Sequence, residues 1–126
     1  MRPVRILLVE DNEVFRDALE LLLGMRDDVE VVASVGDGAT AVSAAIEHHP
    51  DVVLMDYRLP TLDGIQATAQ VVAAVPAAAV VALTASADDH EREALLGAGA
   101  VACLAKDQEL DEIVAAILDA APAAAG

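Results

Sequence analysis

The sequence predicts an α/β fold, a doubly wound (βα)5 parallel sheet with helices on both faces. Five short runs rich in Val, Ile, Leu and Ala lack strict alternation, which is typical of parallel strands buried on both faces. Amphipathic helical segments alternate with these runs, which favours right-handed βαβ crossovers. The five predicted strands cover residues 5–9, 29–35, 52–55, 79–83 and 101–105.

The five predicted helices are marked by apolar residues that recur every three or four positions. The first begins after Asn12, a favoured N-cap residue, and ends at Gly24. The second ends at Pro50 and the third near Pro76, while the fourth is short and weakly patterned. The predicted buried face of the first helix comprises Phe15, Ala18, Leu19 and Leu22.

Length and composition restrict the class of protein. The 126 residues are 56% hydrophobic and suit one globular domain, assigned to residues 1–121, with residues 122–126 as a C-terminal tail or the start of a linker. The formal net charge of −15 repels phosphate backbones, so we expect no direct binding of nucleic acid. A single cysteine, Cys103, and an N-terminal apolar run too short for a membrane span predict a cytoplasmic domain without membrane attachment.

Reactive side chains follow four of the five predicted strands. They are Glu10 and Asp11, Asp56, Thr84 and Lys106. Turn chemistry alone would favour Asp, Asn and Gly at such positions, but not a Thr and a Lys directly after apolar runs. Because ligands of doubly wound sheets lie beyond the carboxyl ends of the strands, we expect these side chains to converge on one site.

The residue types in this set are typical of phosphoryl transfer. Three neighbouring carboxylates repel one another, which should raise at least one pKa, and a hard cation such as Mg²⁺ relieves the repulsion. The Lys106 ammonium can neutralise a phosphoryl oxygen, and the Thr84 hydroxyl can donate a hydrogen bond to another. Asp56, which is central in the expected sheet, is the predicted nucleophile.

The motifs in which these residues occur resemble those of a known family. The segments LLVED, VLMDYRLPTLDG, ALTAS and GAVACLAK are similar to the motifs of receiver domains of bacterial two-component response regulators. They occur in the family's order and the likeness covers nearly the whole chain. VED, MDYRLP and AKD are most similar to the subfamily that carries a LuxR-type helix-turn-helix output domain. The resemblance implies a flavodoxin-like sheet with strand order 2-1-3-4-5.

The resemblance also implies a role for each site residue. Glu10 and Asp11 match the acidic pair for Mg²⁺, with Glu10 acting through a water molecule, and Asp56 matches the phosphoacceptor and a metal ligand. Arg58 would contribute its backbone carbonyl to the metal. Thr84 and Lys106 match the switch hydroxyl and the phosphoryl-binding lysine.

Further positions match the loops of the family. Pro60, Asp63 and Gly64 match the loop that leads into the third helix. Ala85 would leave room for the phosphoryl group. Arg58 and Ser86 are expected to tune the hydrolysis of the aspartyl phosphate.

The implied function is a phosphorylation-dependent switch. A sensor histidine kinase would supply the phosphoryl group, and the face built from the fourth helix, fifth strand and fifth helix would repack. That face would control a homodimer or an output domain, such as a C-terminal DNA-binding domain in a longer chain. The domain would promote its own phosphorylation and slow dephosphorylation without being an enzyme that acts on outside substrates.

Two departures from the family pattern concern the output mechanism. Cys103 occupies the position, three residues before Lys106, where the family usually has Tyr or Phe. Asp107 follows the lysine in place of the more common Pro. The usual rotation of an aromatic side chain on phosphorylation is therefore unavailable.

Other functions fit the residues less well than this one. The main alternative is a receiver-like scaffold that binds partners without phosphorylation. A flavin carrier would need aromatic residues, which make up only 2% of the chain, and a phosphatase with an Asp nucleophile would commonly place a second Asp where Arg58 stands. Residues 36–41 fit the GxGxxA dinucleotide pattern, but they follow the second strand and are interpreted as a tight turn. Tyr57 is predicted to pack in the core, and His48 and His49 to lie at a helix end.

Overall fold

The computed structural model describes residues 2–59, 62–84 and 88–121. Within these residues, five parallel strands alternate with five helices. The strands are β1 (Val4–Val9), β2 (Val29–Val35), β3 (Val52–Asp56), β4 (Ala79–Thr84) and β5 (Ala102–Ala105). The helices are α1 (Glu13–Gly24), α2 (Gly38–His48), α3 (Gly64–Ala74), α4 (Asp89–Gly97) and α5 (Leu110–Ala120).

The strands are ordered β2-β1-β3-β4-β5, which confirms the expected fold and strand order. Each neighbouring pair is parallel, and a register shift between Ile6 and Leu7 marks a bulge against β2. The observed strands differ from the predicted ones by one residue at some ends. β3 and β4 each extend one residue further than predicted, so Asp56 and Thr84 are the last residues of their strands.

Two hydrophobic layers enclose the sheet, and successive strand residues face opposite layers. Leu7 and Val53 lie in the layer that contains residues of α2, α3 and α4. Ile6 and Leu54 lie in the layer that contains residues of α1 and α5. Burial of both faces explains why the strand sequences are continuously apolar rather than alternating.

The buried face of α1 differs from the predicted one. Asn12 caps the helix as predicted, because its side chain accepts a hydrogen bond of 3.0 Å from the Phe15 backbone N–H. However, Leu19 and Leu23 are the buried leucines, whereas Leu22 is 42% exposed. Three consecutive leucines occupy positions 21–23, and the tertiary fold, rather than the local pattern, decides which of them enters the core.

The turn between β2 and α2 agrees with the tight-turn interpretation. Asp37 caps α2 by accepting a hydrogen bond of 2.8 Å from the Thr40 backbone N–H. Gly38 is buried, and a Cβ atom there would overlap the backbone and side chain of Leu62. Gly38 therefore provides room for the β3–α3 loop. At the other end of α2, His49 closes the helix in the left-handed conformation, with φ of 46°.

An ion pair joins the chain start to the amino-terminal edge of the sheet. Asp51 accepts hydrogen bonds of 3.0 and 3.1 Å from the Arg2 guanidinium and one of 2.9 Å from the Arg5 backbone N–H. Burial opposes ionisation of Asp51, but these hydrogen bonds outweigh it and lower the pKa of this carboxyl.

Among the described residues, none of the helices has the length and apolar character needed to span a bilayer.

Candidate functional site

The carboxyl edge of the sheet brings the predicted site residues together. Glu10 follows β1, Asp56 ends β3, Thr84 ends β4 and Lys106 follows β5. Glu10, Asp56 and Thr84 are only 0%, 3% and 6% exposed, whereas Asp11 is exposed. Buried charged residues at one edge of a sheet are costly unless they are paired, so this arrangement indicates a site.

Three carboxylates form a compact cluster. Glu10, Asp11 and Asp56 each offer an oxygen atom, and these oxygen atoms all lie within 4.8 Å of one another. The Glu10 side chain is oriented locally, because its Oε2 accepts a hydrogen bond of 3.0 Å from the Asn12 backbone N–H. The Arg16 guanidinium donates to the Glu10 backbone carbonyl at 2.9 Å. Oxygen donors at this spacing could hold a divalent cation.

Lys106 connects β5 to this cluster. Its Nζ lies 2.7 Å from Glu10 Oε1 and 3.3 Å from Asp56 Oδ2. Its backbone N–H donates to the Thr84 carbonyl at 2.9 Å, which continues the β4–β5 pairing to the lysine itself. Nζ also lies 4.8 Å from the centroid of the Phe15 ring, at cation–π distance. Sequence reasoning assigned Phe15 to the core and missed this contact, because helical periodicity does not reveal a partner that is 91 residues away.

The pKa of the Asp56 carboxyl is strongly raised. Its pKa is raised from 3.8 to about 7, first by burial and then by the negative charge of Glu10 and a hydrogen bond with it. Attraction to Lys106 opposes this shift. Burial alone would lower the pKa of Lys106, but its contacts with the two carboxylates raise it. The predicted rise of a carboxyl pKa is confirmed, and burial contributes more to it than repulsion.

Thr84 is oriented toward α4 in this structure. Its Oγ1 donates a hydrogen bond to Glu91 Oε2 at 3.3 Å. Glu91 is the third residue of α4 and is half-buried. The sequence predicted only a short, weakly patterned fourth helix, and no signal in it indicated that Glu91 would bind the Thr84 hydroxyl.

The loop after β3 supports Asp56 from its other side. The Tyr57 backbone N–H donates to the Leu83 carbonyl at 2.9 Å, and the Gly64 N–H donates to the Tyr57 carbonyl at 2.8 Å. A Cβ atom at Gly64 would lie 2.6 Å from the Asp56 carbonyl oxygen, so glycine is required here. The Tyr57 side chain packs against the hydrophobic layer that contains residues of α2, α3 and α4, as predicted. Asp63 caps α3 by accepting a hydrogen bond of 2.9 Å from the Gln66 N–H.

An open cavity of about 580 Å³ adjoins this loop. Its lining includes Asp11, Arg58, Asp63 and Glu91. Arg58 is exposed, and its side chain is a cation at the mouth of an otherwise acidic site. The cavity therefore opens onto the carboxylate cluster at Asp11. Pro60, Ala85 and Ser86, which sequence analysis also singled out, lie outside the described residues.

The Cys103 side chain is buried at the α4 side of β5, with 3% of its surface exposed. Burial raises the pKa of its thiol. The Cys103 carbonyl accepts a hydrogen bond of 3.1 Å from the Arg92 guanidinium on α4. A cavity of about 130 Å³ is lined by both of these residues and by Thr84. The position of the usual aromatic residue is thus occupied by a small side chain beside a void.

Comparisons with known proteins identify the family. Residues 6–118 match the family model described as the response regulator receiver domain. The transcriptional regulatory protein LiaR of Bacillus subtilis is 36% identical over 114 residues, which cover 90% of this chain and 54% of LiaR. The chain spans about half the length of the curated relatives LiaR, LnrK and DegU.

Solved structures agree with this assignment. The signal receiver domain of the response regulator NarL from Mycobacterium tuberculosis has a TM-score of 0.90 and 34% identity, and 94% of this chain and 96% of that chain are covered. A LuxR-family two-component response regulator from Aurantimonas has a TM-score of 0.87 and 31% identity over 93% of this chain and 84% of its own. The chain therefore belongs to the response regulator receiver domains, the phosphorylation-dependent switches of two-component systems, and is similar to those of LuxR-type regulators.

Proposed function

We propose that Asp56 is the phosphoacceptor of this receiver domain and that its phosphorylation requires Mg²⁺. The observation that carries the proposal is the contact of Lys106 Nζ with Asp56 Oδ2 at 3.3 Å, within a cluster of three carboxylates. A lysine beside a buried aspartate supplies the positive charge that a transferred phosphoryl group needs. The adjoining cavity of about 580 Å³ leaves space for the phosphoryl donor.

The residues present suit Mg²⁺. Asp11 and Asp56 would ligate the ion directly, Glu10 through a water molecule, and Arg58 through its backbone carbonyl. Buried carboxylates that repel one another, with the pKa of Asp56 raised to about 7, form a donor set that a divalent cation stabilises. When bound, the ion neutralises negative charge on the carboxylates and on the phosphoryl oxygens.

Phosphoryl transfer would come from the phosphohistidine of a sensor histidine kinase. An oxygen of the Asp56 carboxylate attacks phosphorus, a P–O bond forms, and the P–N bond to the kinase histidine breaks. The released imidazole nitrogen takes up a proton from solvent. Lys106, held in place by Phe15 and Glu10, neutralises one phosphoryl oxygen, and the Thr84 hydroxyl donates to another.

The output of the switch is part of the proposal. The phosphoryl group adds about −1.5 to −2 charges beside the acidic cluster, and the face of α4, β5 and α5 repacks in response. This face would control a homodimer or a C-terminal DNA-binding domain, a proposal supported by relatives that are named transcriptional regulatory proteins and are about twice as long. Residues 1–121 would form the receiver domain and 122–126 a tail or the start of a linker. The domain would act in the cytoplasm, without turnover of outside substrates.

Intact mass after incubation with acetyl phosphate tests the proposal. Wild-type protein should gain one phosphoryl group with Mg²⁺ and none with EDTA, and the adduct should be labile to hydroxylamine. Asp56→Asn should gain none, whereas Asp27→Asn, which removes an exposed carboxylate outside the cluster, should behave as wild type. A folded wild-type sample that gains no mass would favour the alternative, a receiver-like scaffold that binds partners without phosphorylation.

A further inference from the structure

We propose that Glu91 is the positioning residue that holds the Thr84 hydroxyl toward α4 before phosphorylation, so that loss of this hydrogen bond transmits the signal to α4. The inference rests on the proposed function and deepens it, because it names the element that replaces the missing aromatic side chain. It explains how a receiver domain with Cys103 in that position can still move its output face.

The geometry places Glu91 between the site and the output face. Its Oε2 accepts the hydrogen bond of 3.3 Å from Thr84 Oγ1, and the residue is half-buried in the first turn of α4. Glu91 also lines the open cavity together with Asp11 and Arg58. It is therefore an α4 carboxylate that both binds the switch hydroxyl and lies at the acidic edge.

The chemistry makes two states mutually exclusive. A threonine hydroxyl carries one proton and can donate one hydrogen bond at full strength, either to Glu91 or to a phosphoryl oxygen. A phosphoryl group at Asp56 would also bring about −1.5 to −2 charges to an edge that already holds the Glu91 carboxylate. Both effects release Glu91 from Thr84 and disfavour the position that α4 has in this structure.

A second contact links the same turn of α4 to β5. Arg92, the next residue, donates a hydrogen bond of 3.1 Å to the Cys103 carbonyl. Thr84, Arg92 and Cys103 line the cavity of about 130 Å³ that lies between these elements. The first turn of α4 is thus connected to β4 and β5 by polar contacts beside a cavity, and the described lining of that cavity leaves space for a shift of the turn.

A double-mutant cycle tests the coupling between the two residues. The apparent affinity of the folded protein for beryllofluoride with Mg²⁺, a phosphoryl mimic, is measured by NMR titration for wild type, Glu91→Ala, Thr84→Val and the double variant. Glu91→Ala should tighten binding about two- to tenfold, the value of one hydrogen bond, because the resting state loses its contact. In the Thr84→Val background the same substitution should lose most of this effect. Thr84→Ala replaces Thr84→Val in the cycle if the valine variant is misfolded.

Two further variants separate the hydrogen bond from simple loss of charge. Glu91→Gln removes the charge but keeps an acceptor, so it should tighten binding less than Glu91→Ala does. Glu93→Ala removes an exposed carboxylate from the same helix and should leave the affinity close to that of wild type. Additive effects in the cycle, or equal effects of Glu91→Ala and Glu93→Ala, would overturn the inference. Failure of wild type to bind the mimic would instead refute the proposed function, and the inference with it.

Discussion

Replacing Asp56 by asparagine is expected to raise the free energy of unfolding of the metal-free protein above pH 7. The pKa of Asp56 is raised from 3.8 to about 7, because burial disfavours the charge and Glu10 repels it. Between these two pH values the folded protein holds a proton that the unfolded chain has lost. The stability contributed by Asp56 therefore falls as the pH rises through this window, and an uncharged asparagine removes the loss.

The magnitude follows from the two pKa values. At about 1.36 kcal/mol per pKa unit, their difference corresponds to roughly 4 kcal/mol at pH values above both. Asp11, the exposed carboxylate of the same cluster, lines an open cavity, so water beside the cluster screens the charge in part and reduces the effect. We expect Asp56→Asn to stabilise the protein by about 1–2 kcal/mol near pH 8 and by much less near pH 5.

Urea unfolding followed by circular dichroism in EDTA, at about pH 5 and pH 8, measures this difference. Asp11→Asn is the matched control, because it removes an exposed carboxylate of the same cluster and should have a smaller effect. Added Mg²⁺ should stabilise wild type more than Asp56→Asn, since the variant lacks one ligand. A difference in the free energy of unfolding between wild type and Asp56→Asn that stays the same at both pH values would show that the Asp56 carboxyl does not have a raised pKa in the folded protein.

Three further substitutions test other contacts. Phe15→Leu should slow phosphorylation by acetyl phosphate about two- to fivefold, because Lys106 loses a cation–π contact of about 0.5–1 kcal/mol, and Phe15→Tyr should restore the rate. Asp51→Ala should cost about 1–3 kcal/mol in urea at pH 7, since it leaves the Arg5 N–H without its acceptor. Because the folded pKa of Asp51 is lowered, this contribution is present above the ordinary value of 3.8 and is lost as the pH falls further, so the difference from wild type should shrink in acid. Gly64→Ala should lower the free energy of unfolding by about 1–3 kcal/mol and slow phosphorylation, because the added Cβ would displace the Asp56 backbone. Gly24→Ala is the control and should not lower the free energy of unfolding, because there is open space around its Cβ. Equal effects of the two glycine variants would contradict this expectation.

The layout of the fold and the residues of the candidate site could be predicted from the amino-acid sequence. Continuous apolar runs indicate buried parallel strands, because each strand residue meets a helix layer on one side or the other. Parallel strands bring their carboxyl ends to one edge, so Asp56, Thr84 and Lys106 could be assigned to one site before any distance was known. The family motifs added the strand order, which local patterns do not specify.

The contacts between side chains of the site could not be predicted, because they depend on the tertiary structure. The orientation of Thr84 toward Glu91, the Phe15 ring over Lys106 and the choice of Leu23 as a core residue depend on how distant segments pack. The size and main cause of the Asp56 pKa shift are also tertiary, because burial depends on the neighbouring strands and loops. Periodicity indicates which side of a helix or strand faces the core. A contact between residues that are far apart in the sequence is instead set by side-chain packing between elements. The coupling of the site to α4 depends on such contacts, so it could not be predicted from the sequence.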